Sequence, residues 1–381
     1  FESGLPGVPS DTSCFPAKIV HGHVRYLIDR GVDRIFMPMM LRLPKKNRYA
    51  HGEEMCPLIQ GYPMVIESSE EPHTQHEIPF DRPAFHWFTP KLRKKQTIDY
   101  IKSSFPSLSS AIINHAIKNG EKALQQFEAA LQEETQTLLN DIQDNKIFGV
   151  LLAGRPYHND ELINHHLSKH FTRLGIPVLT LSSLPKTHSK EIIHSRMETY
   201  NPFHTRMLEA ALFAARHPSL ELVQIVSFGC GHDAIISDEM SRILKTLSNK
   251  ELLVLKLDEG EARGPLNIRI RSFIETVREK RKGNVHTLPV HLGDPYPIKF
   301  LRKDKKSKII LIPNLSPAFS YISAKIMKYL RYKTLPLPLA DKRAIDFVKS
   351  MFITISVFPH KLILGKSFRL LKRVIIHRTS L

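Results

Sequence analysis

The sequence predicts an α/β fold, with Rossmann-like parallel-sheet units joined by a helical linker and the first and last units incomplete. Three observations predict it. Between residues 147 and 280, short apolar runs alternate with helical stretches of 12 to 16 residues, the pattern of a parallel sheet covered by helices on both faces. Between 91 and 145 the strand-like runs stop, and Leu124, Phe127, Leu131, Leu138 and Ile142 recur at helical spacing. On either side of these stretches the strand–helix alternation is only partly present.

Each element follows from its local residues. Ala17–Arg30 reads as a helix behind Pro16, and residues 33–39 (DRIFMPM) as a strand. The strand and helix that would complete this first unit have no counterpart in the sequence. Residues 91–145 predict one or two long helices. IFGVLLA at 147–153 is a buried strand ended by Gly154-Arg155-Pro156, and Asp160 caps a helix running to Leu174. Strands are then expected at 176–181, 222–227 and 252–257. Helices are expected at 202–216, 233–247 and about 265–280. KIILI at 308–312 opens the last unit, followed by a helix from about 317 to 330, the Pro-rich TLPLPLA and two further helical segments. The expected organisation is therefore a partial unit over 1–90, a linker over 91–146, a complete unit over 147–296, and a basic, incomplete unit over 297–381.

Composition narrows the function. The 381 residues are 42% hydrophobic and 24% charged, which excludes wholesale disorder. The net charge is +18, but residues 299–381 hold 19 Lys and Arg against 3 Asp and Glu, whereas the first 298 hold 36 against 34. A chain-wide nucleic-acid scaffold is excluded, and nucleic acid is not an expected partner. No apolar stretch approaches the roughly 18 residues of a membrane-spanning helix. Cys14, Cys56 and Cys230 are the only cysteines. Their odd count and wide spacing do not describe a secreted disulfide framework, so a reducing, cytoplasmic compartment is expected.

The cysteines are the best candidates for chemistry. Cys14 precedes a predicted helix, Cys56 lies in a loop followed by proline, and Cys230 stands between glycines where a strand meets a helix. Helix N-termini favour anions, including thiolates, and soft thiolates select iron–sulfur clusters, zinc or copper(I). The alternative is that all three are small buried apolar residues.

The segments SCFPAKIVHGHVRYLIDRGVDRIFMP, CPLIQGYP, LLAGRPYHNDELINHHL, SFGCGHDA and LLVLKLDEGEARGPLNIRIRSFI occur in that order. Together they resemble the acyl-CoA dehydratase activase-related proteins, relatives of the 2-hydroxyglutaryl-CoA dehydratase activator, over about residues 10–330. The resemblance implies Rossmann-like units around a 4Fe–4S cluster held by Cys14, Cys56 and Cys230, with one iron left open. It also implies an ATPase activase domain or subunit as partner, and possibly an acyl-CoA substrate. No phosphate-binding glycine loop is present, so any ATP-driven step is expected on another chain. The chain reads as a fragment of a larger or decayed gene product. A metal-free remnant or interaction domain is the alternative expectation.

Other residues are weighed beside these. Arg155 suits bidentate contact with a carboxylate or phosphate and His158 suits proton transfer, marking both as candidate substrate-binding residues; the competing reading is an ion-pair partner and an exposed turn. His166 and His170 have the i, i+4 spacing of a metal pair, but with His165 they are expected to form a polar helix face; Asp258-Glu259 at a strand end reads either as orienting a substrate or as capping a helix. SCFPAKIVHG at 13–22 and SVFPHKLILG at 356–365 coincide at five of ten positions. The second copy has Val357 in place of Cys14 and is not expected to build a second cluster site.

Overall fold

The first helix, α1 (Phe15–Asp29), starts with Cys14 as its N-cap and Pro16 in its first turn, where the missing N–H of proline costs nothing. The structure is a computed structural model that describes residues 1–45, 47–185, 190–227, 229–260, 263–282, 300–314, 316–339 and 341–343. The single strand expected at 33–39 is instead two short ones, β1 (Ile35–Phe36) and β2 (Met39–Arg42). Pro38 falls between them, and proline cannot donate to a strand ladder. The loop expected at Cys56 leads directly into helix α2 (Pro57–Glu70), with Pro57 at its start. Burial of Tyr62 and Ile66 on its inner face outweighs the cost of Pro63 within it. Strands β3 (Phe80–Asp81) and β4 (Ala84–His86) pair in parallel with β1 and β2.

The linker is two helices, α3 (Pro90–Ser104) and α4 (Ser110–Asp144), capped by the side chains of Thr89 and Ser109. The four-stranded sheet follows: β5 (Gly149–Ala153), a 3-10 turn at Pro156–Asn159, the short helix α5 (Leu167–Thr172) and β6 (Val178–Thr180). After these come α6 (Pro202–Arg216), β7 (Leu220–Ser227), α7 (Gly231–Ser248), β8 (Leu253–Leu257) and α8 (Arg263–Lys282). The helix expected over 160–174 is cut to α5. Asp160 Oδ1 accepts from the amides of Leu162 and Ile163, and Asn164 Oδ1 from that of Leu167, while His165 and His166 adopt left-handed φ of 53° and 57°. Such side-chain bonds compete with helical ones, so Asp160 builds a turn and the helix starts later.

The sheet order is β6-β5-β7-β8, all parallel. Every residue of β5 and β7 is buried, as expected of a parallel sheet covered on both faces. Val150, Leu152, Val223 and Ile225 pack towards α5 and α8, while Leu151, Ala153, Leu220 and Leu222 pack towards α4, α6 and α7. The chain runs from β5 to one neighbour, β6, and then crosses to the other, β7. The strand order therefore reverses between β5 and β7, and in open α/β sheets ligands bind at the carboxyl strand ends beside that reversal.

By backbone proximity the chain divides into two units, Phe1–Pro297 and Ile298–Leu381. In the second, β9 (Ile310–Ile312) pairs in parallel with β10 (Thr334–Pro336), and α10 (Pro317–Tyr329) connects them after a single helical turn, α9 (Asp304–Ser307). The Pro-rich TLPLPLA thus begins as a strand, with proline at its end. Val357 and the repeat at 356–365 lie outside the described residues.

Candidate functional site

Arg155 and Cys230 stand at the carboxyl ends of β5 and β7, on the two sides of the reversal. Each of the three cysteines is a helix N-cap: Cys14 for α1, Cys56 for α2 and Cys230 for α7. The first N–H groups of a helix lack intrahelical partners, so each thiol sits at an anion-favouring end. Cys56, expected in a loop, is the residue from which α2 starts. All three are only partly buried.

The GRPYH segment folds back tightly after β5. His158 Nδ1 accepts from the Arg155 amide at 3.0 Å, and a Cβ on Gly154 would lie 2.7 Å from that same nitrogen. Glycine is therefore required there. His158 Nε2 lies 3.1 Å from Ser227 Oγ at the end of β7. Burial pushes the His158 pKa down to about 4, so the ring is neutral at pH 7 and ties the β5 turn to β7. Neither the exposed turn nor a free proton-transfer group describes it.

Arg155 is 3% exposed. Its Nε and Nη2 both donate to Asp233 Oδ1, at 3.1 and 2.8 Å, and Nη2 lies 2.8 Å from His204 Nε2 and 3.9 Å from Cys230 Sγ. Burial alone would raise the Asp233 pKa, but His204 and the Arg155 charge hold it down to about 2. Among the described residues, Asp233 Oδ2 is buried without a hydrogen-bond partner. Burial, followed by the charge of Asp233, pushes the Cys230 thiol up to about 11. The Cys14 thiol is raised by burial and also by Cys56, while the Arg155 charge favours its thiolate. Cys14 and Cys230 thus share Arg155 as a cationic neighbour, and Cys56 acts on Cys14.

Among the described residues, contacts to the α/β unit dock the N-terminal segment, including Asn47 Nδ2 donating to Glu209 of α6 at 2.7 Å. Lys18 of α1 donates to Glu259 beyond β8 at 2.6 Å, and the amides of His51 and Gly52 both donate to the Thr199 carbonyl at 3.2 Å. Glu259 is therefore an ion-pair partner for the Cys14 helix rather than a cap.

Residues 1–184 match the family described as CoA enzyme activase uncharacterised domain (DUF2229). The match covers just under half of the 381 residues. The matched activase-related stretch contains Cys14, Cys56, Arg155 and His158, and it ends before Cys230. No curated protein and no solved structure matches the chain significantly.

Sequence reasoning missed Asp233 and His204 as partners of Arg155, because they lie 78 and 49 positions away. It also missed a buried network beside Cys14. His21 Nδ1 lies 2.7 Å from Glu70 Oε1 and His21 Nε2 3.0 Å from Tyr62 Oη, joining α1 to α2. No local signal marks these three residues. Of the histidines expected on a helix face, His165 is buried with Nε2 2.9 Å from the Asp258 carbonyl, and His166 lies 3.0 Å from Glu161. Among the described residues, no group of three or more His, Cys, Asp or Glu could hold a metal ion, and no helix is long and apolar enough to cross a membrane.

Proposed function

We infer that the chain is a cluster-binding component of an activase-related system, in which Cys14, Cys56 and Cys230 hold a 4Fe–4S cluster and a separate ATPase drives electron transfer. The observation that carries the reading is the shared placement of the thiols. All three cap helix N-termini, and Arg155 lies within electrostatic reach of two of them. The donor chemistry suits an iron–sulfur centre. The thiolates of a compact cluster stand farther apart than the ligands of one ion, so the lack of a single-ion site does not weigh against it. Such a centre supplies one-electron reduction and an open iron that accepts a substrate oxygen.

The chain's own residues would do the following. Helix N-termini and the Arg155 guanidinium offset negative charge on the sulfurs. Asp233 fixes the guanidinium. His158 and Ser227 hold the β5 and β7 ends together. A 2-hydroxyacyl-CoA thioester is the substrate class that the activase relationship supports. Arg155 is better placed than His158 to receive a substrate anion, because both ring nitrogens of His158 are engaged.

A metal-free interaction domain is the second reading. It is favoured by the Cys230 thiol, whose pKa near 11 keeps it protonated at neutral pH, as in a buried structural cysteine. Anaerobic purification and reconstitution with iron and sulfide separates the two. About four irons per chain, with absorbance near 400 nm that is lost in Cys230→Ala, supports the cluster. An iron-free, folded chain supports the second reading.

A further inference from the structure

We propose that the cleft between α4 and the carboxyl ends of β5 and β6 binds a monocarboxylate with an apolar chain, the carboxylate on Arg155 and the chain along α4. This goes beyond the cluster reading and does not rest on it.

The cleft has a volume of about 380 Å³, within the range that encloses small ligands. Its apolar wall comes from the middle of α4. That helix buries Ile113 near one end and Leu139 and Ile142 near the other, but leaves Leu124 55% and Phe127 62% exposed between them. These two and Leu131 line the cleft, and Leu181 and Leu184 after β6 also line it. Along the cleft the apolar residues of α4 are thus uncovered, as Ile112 is nearer the start of the helix. Such a surface gains by burying hydrocarbon.

The polar end is Arg155, which lines the same cleft. Asp233 and His204 occupy its Nε and Nη2, whereas Nη1 makes no hydrogen bond among the described residues. A free Nη1 N–H on this buried cation can donate to one carboxylate oxygen. The other lining cations are committed: Lys45 donates to the carbonyls of Ala50 and His51, and Arg206 to Leu184, Pro185 and Glu209. Glu128 also lines the cleft. One guanidinium, already ion-paired with Asp233, favours a monoanion over a phosphate dianion.

The test is calorimetric titration of the full chain, purified without added iron, with octanoate, butanoate and inorganic phosphate. Each buried methylene is worth about fourfold in affinity. Octanoate is therefore expected to bind at least about tenfold tighter than butanoate, and phosphate to leave octanoate binding unchanged. Phe127→Asp is expected to weaken octanoate at least about tenfold with an unchanged melting temperature, since the ring is exposed. No octanoate binding, equal binding of butanoate, displacement by phosphate, or a Phe127→Asp chain that binds normally would each overturn the proposal. Because no iron enters the titration, its failure leaves the cluster reading standing, and an iron-free chain that binds octanoate leaves this one standing.

Discussion

The sheet of β5–β8 and the first ninety residues both bring cysteines to helix N-termini, by different means. In the sheet, four parallel strands with buried layers on both faces hold Cys230. Before residue 90, the described residues form two-stranded parallel pairs and one antiparallel bridge, Arg42–Glu54, and a small core of Ala17, Val24, Ile28, Ile35, Tyr62, Ile66 and Ile78 packs α1 against α2. Cys14 and Cys56 rest on that thin core and on the Lys18–Glu259 and Thr199 contacts. The difference teaches that a site can be anchored by one robust element and completed by weaker ones.

The sharpest way to break the comparison is at the pair joining β5 to α7. Arg155→Met leaves Asp233 charged in a buried place, and losing one partner of such a pair costs about 4 kcal/mol. Urea unfolding is expected to show that loss in the whole sheet. A shift below about 1 kcal/mol would mean the pair is not buried as described.

Next come matched core deletions. Leu222→Ala and Ile66→Ala each remove a side chain with no exposure, at a cost of about 3 kcal/mol. Leu222→Ala should lower protection throughout β5–β8 in hydrogen exchange. Ile66→Ala should deprotect α1 and α2 first, with the central strands still protected. Simultaneous loss in both variants would show a single cooperative unit.

Acid separates the regions by a comparable amount. The pKa of His158 falls from 6.5 to about 4 on folding because burial disfavours the charged ring. The unfolded chain therefore takes up a proton that the folded chain refuses. Stability is present above about pH 6.5 and is lost as pH falls towards 4, by roughly 3 kcal/mol from this group. His158→Gln should flatten that part of the stability profile, and an unchanged slope would refute the assignment.

The smallest effect is at helix caps. Asn201 caps α6, which is buried along most of its length, whereas Thr89 caps α3, which buries no residue. Asn201→Ala should cost about 1 kcal/mol globally. Thr89→Ala should fray α3 and leave the melting temperature unchanged.

Much of this was legible in the residues themselves. The apolar runs of β5, β7 and β8 and the stripes of α6 and α7 report burial directly, because period and polarity are local properties; that of α4 reports the helix but is only partly buried. Two places read differently in the structure. Cys56, expected within a loop, caps α2, and the stretch from Asp160 to Leu174, expected to be one helix, begins as a turn because Asp and Asn side chains take the amides.

The sequence by itself determined the alternation of strands and helices, the basic character after residue 298, and three cysteines at junctions whose neighbours shape the backbone. Only the tertiary structure decided what those junctions face. The pairing of Arg155 with Asp233 and His204, the His21–Glu70–Tyr62 network and the open stripe of α4 all join residues tens of positions apart. Such contacts depend on the β5–β7 reversal and on packing between helices, and neither leaves a periodic trace in the chain.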